Sequence, residues 1–282
     1  MVREGFTVCA VDPPGCGRSG HLPPTSKYCT EAESLWAIEI LTQLGWAAED
    51  GGAILLAHSR GGNVLLRCAG GFPDAVCGLV LLENNLGYSQ EFSPQMLSEL
   101  LASERRNRAR VPRSFRSAEA AIHKSYTNKQ FPKSWGTARN ITMRHIKPDE
   151  AVGQGAVTFT HDVRTYGERQ SLATTPQMLL DVISRVRCPI FMMTSELNQW
   201  RSLEERTAGT EITKKKSQLT RGQLTDVVIF GEHHHVHSDN ATLTWQSGLK
   251  DWLELLGRQH VETWQHVGIS TGERARANRA NL

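Results

Sequence analysis

The sequence predicts an α/β fold, a mostly parallel sheet with helices on both faces. Three observations lead there. Short apolar runs alternate with helix-like runs between residues 6 and 82. Two further apolar runs, at 189–194 and 226–230, resume the pattern after a long polar interval. Ser59 stands where one apolar run gives way to a helical one, between small residues.

Taken in order, Phe6-Thr7-Val8-Cys9-Ala10-Val11 is rich in β-formers and reads as a buried strand. It ends in the Gly/Pro turn cluster Asp12-Pro13-Pro14-Gly15-Cys16-Gly17-Arg18-Ser19. From Thr30 to Leu44, Leu35, Ile38, Ile40, Leu41 and Leu44 recur at helical spacing behind Thr30 and Glu31. Gly51-Gly52 breaks the chain before the apolar run Ala53-Ile54-Leu55-Leu56. Asn63 to Ala69 reads as a helix, and Cys77 to Leu82 as a strand ending at Glu83-Asn84-Asn85.

From Leu86 to Ser184 the residues predict helices and polar loops without a buried strand, an insertion above the sheet. Its arginines between Ser103 and Arg116 lack the interleaved aromatics of a single-strand binder, so a solvated helical face is expected and no nucleic-acid partner. The sheet returns at Pro189 to Thr194 and ends at Asp226 to Phe230. Gly231-Glu232-His233-His234-His235-Val236-His237 follows, then a closing helix from about Ala241 to Leu256. The predicted organisation is 1–85 and 185–257 as the two parts of one core, 86–184 as a helical insertion, and 258–282 as a basic, disordered tail.

Composition narrows the classes. A net charge of +3 points to no acidic partner, and no apolar run is long enough to span a bilayer. Residues 1–5 lack secretory signal character. The six scattered cysteines form no C-x-x-C pair and read as reduced, largely buried thiols of an intracellular protein.

Ala57-His58-Ser59-Arg60-Gly61 fits the small-x-Ser-x-small pattern of a nucleophile elbow, with Ala57 in place of the usual first glycine. Such a turn exposes the Ser59 hydroxyl at a helix start, where the Arg60 N–H stabilises developing negative charge. Four histidines within five residues, at 233, 234, 235 and 237, supply a candidate base. They also form a pattern that could hold a metal, but no carboxylate or cysteine shows ligand spacing around them, and no metal is expected.

These pieces in this order resemble the α/β-hydrolase superfamily over roughly Phe6 to Leu256. The likeness rests on D-x-P-G-x-G-x-S at Asp12 to Ser19, the turn at Ser59, the insertion after the next strand and the histidine loop after the last. The G-E-H-H-H-V-H-S-D-N ending is most similar to the serine hydrolase-like (Kraken-type) branch. Phe159-Thr160-His161-Asp162-Val163-Arg164 resembles that branch's F-x-R-D-x-R element, with His161 for the first Arg.

The resemblance implies a serine hydrolase of ester-like or other small-molecule acyl substrates, with no cofactor. It puts the nucleophile on Ser59 and the base on His234, with His233 the alternative because the loop is one residue longer. The acid is where the chain departs from the family: Asn198 stands where the acid usually belongs. Glu83, at a second location used in the superfamily, is the first choice, and Glu196 the next. Such folds normally begin with three strands before the D-x-P-G-x-G-x-S strand, the third giving half of the oxyanion hole. Met1 lies five residues before Phe6, so the resemblance implies an N-terminally truncated chain lacking those strands, with Arg60 the remaining donor. One such donor is worth about a hundred- to thousandfold in rate.

The second reading is a catalytically impaired relative with a binding or regulatory role. Dehalogenase or epoxide hydrolase chemistry is disfavoured, since those resemblances require Asp at position 59. Oligomeric state is not legible. The cytoplasm is the default location, the ending Ala280-Asn281-Leu282 not being Ser-Lys-Leu, though the resemblance also allows a peroxisomal one.

Overall fold

The structure, a computed structural model, describes residues 5–47, 52–87, 89, 93–166, 174–197, 211–220 and 223–266. Its elements in chain order are α1 (Thr30–Gln43), β1 (Ala53–His58), α2 (Arg60–Gly71), β2 (Val76–Leu82), α3 (Pro94–Arg108), β3 (Ser114–Phe115), α4 (Ala118–Tyr126), α5 (Trp135–Arg144), β4 (Ile146–Pro148), β5 (Val157–Phe159), α6 (Pro176–Ser184), β6 (Ile190–Ser195), α7 (Glu211–Leu219), β7 (Leu224–Ile229) and α8 (Lys250–His266). The chain divides into two compact units, Met1–Cys29 with Ser93–Gln170, and Thr30–Phe92 with Ser171–Leu282.

The second unit holds a four-stranded parallel sheet in the order β1-β2-β6-β7. The registers Leu79↔Ile190, Val80↔Phe191 and Leu81↔Met192 set alternate residues on opposite faces. Leu79, Leu81, Ile190 and Met192 pack with Leu41 of α1, Leu66 and Cys68 of α2, and Leu179 and Ile183 of α6 in one apolar core. On the other face, Phe191 meets Trp252 of α8 at 5.8 Å between rings. A side chain at Gly78 would run into Leu256 and Trp252. Both faces are thus covered, which is why these strands are continuously apolar rather than alternating. Helix α2 approaches α6 so closely that a Cβ on Gly70 would strike the Val182 carbonyl. Burial pushes the Cys68 and Cys188 thiols up to about 12 and Cys77 up to about 11, so all three stay protonated near neutral pH.

Four expectations need correction. Phe6–Val11 forms no strand, and residues 7–11 are exposed, Val8 by 43% and Val11 by 48%. A strand needs a ladder partner, and among the described residues β1 pairs with β2 alone. The interval from 86 to 184 does contain strands: β3, β5 and β4 make a small antiparallel sheet whose members are too short to show a period. Leu35 faces solvent. The inner face of α1 is partly polar instead, with Glu33 bonding Arg60 at 2.7 Å and the Ser34 hydroxyl donating to the Thr30 and Val64 carbonyls. The closing helix is interrupted at Gly248, whose φ of 95° only glycine adopts readily, and then runs on to His266. Residues 267–282 of the expected tail lie outside the described residues. Among the described residues, no helix is long and apolar enough to cross a membrane.

The first unit is tied by Asp162 and Arg164. The Arg164 guanidinium bonds the Asp162 carboxylate and the carbonyls of Leu22, Pro23 and Ser26. The Tyr28 hydroxyl donates to the same carboxylate at 3.0 Å, and the Asp162 N–H to the Gly15 carbonyl at 2.8 Å. Burial alone would raise Asp162, but the bonds from Arg164 and Tyr28 outweigh it and hold it at about 2. A carboxyl depressed in the folded state stabilises above its unfolded pKa of 3.8, and that stability is lost as pH falls toward 2. Asp162→Asn is therefore expected to lower the unfolding midpoint at pH 5 and to flatten its fall between pH 4 and pH 2. Denaturant titrations across that window check both.

Candidate functional site

The candidate residues of the second unit gather at the carboxyl ends of β1, β2, β6 and β7. Ser59 links β1 to α2 with φ 52° and ψ −125°. A non-glycine residue there costs on the order of 1–3 kcal/mol and persists only where its surroundings hold it. They do: the Ser59 N–H donates to the Leu82 carbonyl at 2.8 Å, extending the ladder, while its carbonyl accepts from Gly62 N–H and from Asn84 Nδ2, each at 2.9 Å. The turn is close-packed: a Cβ on Gly61 would touch that of Ala57 at 3.4 Å. A Cβ on Gly62 would lie 2.5 Å from the Asn84 side chain. Arg60 opens α2, so its N–H is among the first-turn donors without an intrahelical acceptor. Its guanidinium turns away to Glu33.

Glu83, immediately past β2, also has a positive φ, 56°. Its backbone N–H donates to the Met193 carbonyl at 2.7 Å, and its side chain is buried. One carboxylate oxygen accepts the Ser195 N–H at 2.5 Å and lies against the Ser195 hydroxyl. That hydroxyl is also 2.9 Å from the His233 carbonyl. The other oxygen sits 3.3 Å from His234 Nδ1. A carboxylate offers only lone pairs, so Nδ1 carries the proton and Nε2 is left as the base. His234 itself is buried.

Three more histidines crowd the same place. His58, the last residue of β1, donates from Nε2 to the His234 carbonyl at 2.8 Å. Its ring is 4.5 Å from that of His234 and 4.0 Å from that of His237. Burial, with the His237 and His234 rings beside it, pushes His58 down to about 2. Burial and His234 lower His237 as well. Both imidazoles are neutral near pH 7.

The structure thus brings Glu83 and His234 together and anchors Ser59 through its backbone to the residue before Glu83. Among the described residues, the Ser59 hydroxyl makes no hydrogen bond to His234. The His233 side chain is exposed, and only its carbonyl enters the network. Glu196 is exposed too, accepting the Gly231 N–H at 2.9 Å. Asn198 lies outside the described residues. Sequence reasoning missed Asn84, Ser195 and His58. Nothing in the spacing marks the first two; His58 adjoins Ser59, but the partners that give it meaning lie far along the chain. A cavity of about 480 Å³ in the first unit, lined by His21, Phe159 and His161 among others, contains none of these candidates.

Residues 2–136 match the family model described as alpha/beta hydrolase fold. No curated protein matches the sequence. Among solved structures, the hypothetical protein PA1622 of Pseudomonas aeruginosa PAO1 is 22% identical with a TM-score of 0.65, over 82% of this chain and 76% of that one. A thioesterase domain from the curacin biosynthetic pathway is 18% identical with a TM-score of 0.62, over 83% and 77%. The Mycobacterium tuberculosis esterase Rv0045c is 18% identical with a TM-score of 0.58, over 85% and 75%. At these identities the likeness shows the fold.

Proposed function

We propose, from the premise that this chain has the α/β-hydrolase fold, that it is a serine hydrolase of ester-like or other acyl substrates. The observation that carries the reading is the buried Glu83–His234 pair, set beside a serine held at positive φ on a strand-to-helix turn. Ser59 is the nucleophile. His234 Nε2 takes its proton and returns it to the leaving group, while Glu83 fixes the tautomer and stabilises the imidazolium. The Arg60 N–H at the start of α2 faces the oxyanion. Ser195 positions Glu83, and Asn84 braces the Ser59 turn. The insertion at residues 86–184 and the ending of the histidine loop favour the serine hydrolase-like (Kraken-type) branch.

Support comes from the partial match to the alpha/beta hydrolase model and from neighbours named as a thioesterase and an esterase. The test is turnover of a graded series of p-nitrophenyl acyl esters by the purified chain. Burst kinetics with an acyl-enzyme phase are expected. Absence of turnover across the series by a folded chain would favour the catalytically impaired relative.

A further inference from the structure

We propose that His58, His235 and His237 form a site for one divalent transition-metal ion of the zinc class, which ties the loop carrying His234 to the end of β1. One ring nitrogen from each of the three lies within 4.8 Å of the others. The ring centroids are 4.0 Å apart for His58 and His237, 5.5 Å for His58 and His235, and 6.1 Å for His235 and His237. Zinc–nitrogen bonds of about 2.0–2.1 Å in a tetrahedron set ligand nitrogens roughly 3.3 Å apart, so the three nitrogens would draw together on binding.

The tautomer of one ligand is already fixed. His58 donates its Nε2–H to the His234 carbonyl, so Nδ1 keeps its lone pair. A metal-bound histidine typically donates its other N–H to a backbone carbonyl or carboxylate in this way. His237 Nδ1 is buried and makes no hydrogen bond among the described residues. A buried polar atom in that condition is costly, and coordination would satisfy it. An all-imidazole set selects zinc, copper or nickel over magnesium or calcium, and three protein ligands leave a fourth position for water. Two of the ligands were visible in the sequence as His235-x-His237, but the third comes from β1 and only the fold supplies it. Because His58 also holds the His234 carbonyl, an ion at this site would stiffen the loop that presents His234.

The test needs no hydrolysis, so it stands or falls apart from the reading of Ser59. The purified full chain is stripped with a chelator and titrated with Co²⁺, then Zn²⁺. One Co²⁺ per chain is expected, with d–d bands of a low-coordinate nitrogen site that one equivalent of Zn²⁺ abolishes. Zn²⁺ is expected to raise the melting temperature. His237→Ala should weaken binding more than about tenfold, while His233→Ala, an exposed histidine in the same loop, should not. If His237→Ala fails to fold, His235→Asn serves in its place. A wild-type chain that keeps its circular dichroism but binds neither ion would overturn the proposal. So would an equal loss of affinity in His233→Ala.

Discussion

Replacing Ser59 by alanine is expected to lower kcat on acyl esters by about 10⁶-fold, the scale on which loss of a catalytic serine acts. The fold should survive. The positive φ at this position arises from the strand-to-helix turn and from the bonds that its backbone makes to Leu82, Gly62 and Asn84. Alanine keeps all three. The hydroxyl itself makes no hydrogen bond among the described residues, so stability should change by only a few tenths of a kcal/mol. Steady-state kinetics on Ser59→Ala, with circular dichroism beside them, check both halves. A fall in rate of less than tenfold would mean that another residue is the nucleophile.

Glu83→Gln is expected to lower kcat by about 10⁴-fold with little change in KM, the size of effect seen when a triad acid is neutralised in a protease template. Glu83 receives Ser195 N–H and the Ser195 hydroxyl on one oxygen and His234 Nδ1 on the other. Glutamine can replace one of these faces with its carbonyl. Its amide nitrogen must then point at His234 and donate to Nδ1, which forces the imidazole proton onto Nε2. The base is then blocked by its own proton rather than by lost geometry. Glu196→Gln is the contrast: Glu196 is exposed and, among the described residues, its side chain accepts only the Gly231 N–H, so its loss should leave kcat within about threefold of wild type. If Glu196→Gln were the damaging variant, the assignment of the acid would be reversed.

Much of the fold was legible in the sequence. The runs at 53–56, 77–82, 189–194 and 226–230 each fall largely on a strand of the parallel sheet, and the central β2 and β6, buried along their length, are the most continuously apolar of them. The turn at Ser59 was legible because its geometry restricts residue size two positions either side. The segment at 6–11 was misread because β-forming residues report compatibility with a ladder and not the presence of a partner. The small sheet of β3, β5 and β4 escaped because two or three residues carry no period. Around the candidate site, residues concentrated in one motif were readable as a motif, as at 57–61 and in the histidine loop. Contacts closed by the fold were not: Ser195 against Glu83, Asn84 against Gly62, and His58 against His237 join residues whose types are ordinary and whose separations follow no rule. Glu83 was suggested by resemblance alone, and its burial against His234 is a property of how β2 and the loop after β7 meet.

The central claim is that Ser59 is an activated nucleophile. Its most direct measurement is labelling of the purified chain with a fluorophosphonate probe, followed by mass spectrometric mapping of the modified residue. A single adduct on Ser59, absent from Ser59→Ala and strongly slowed in Glu83→Gln, is the predicted result. A folded chain that takes no label, or takes it at another residue, would contradict the account.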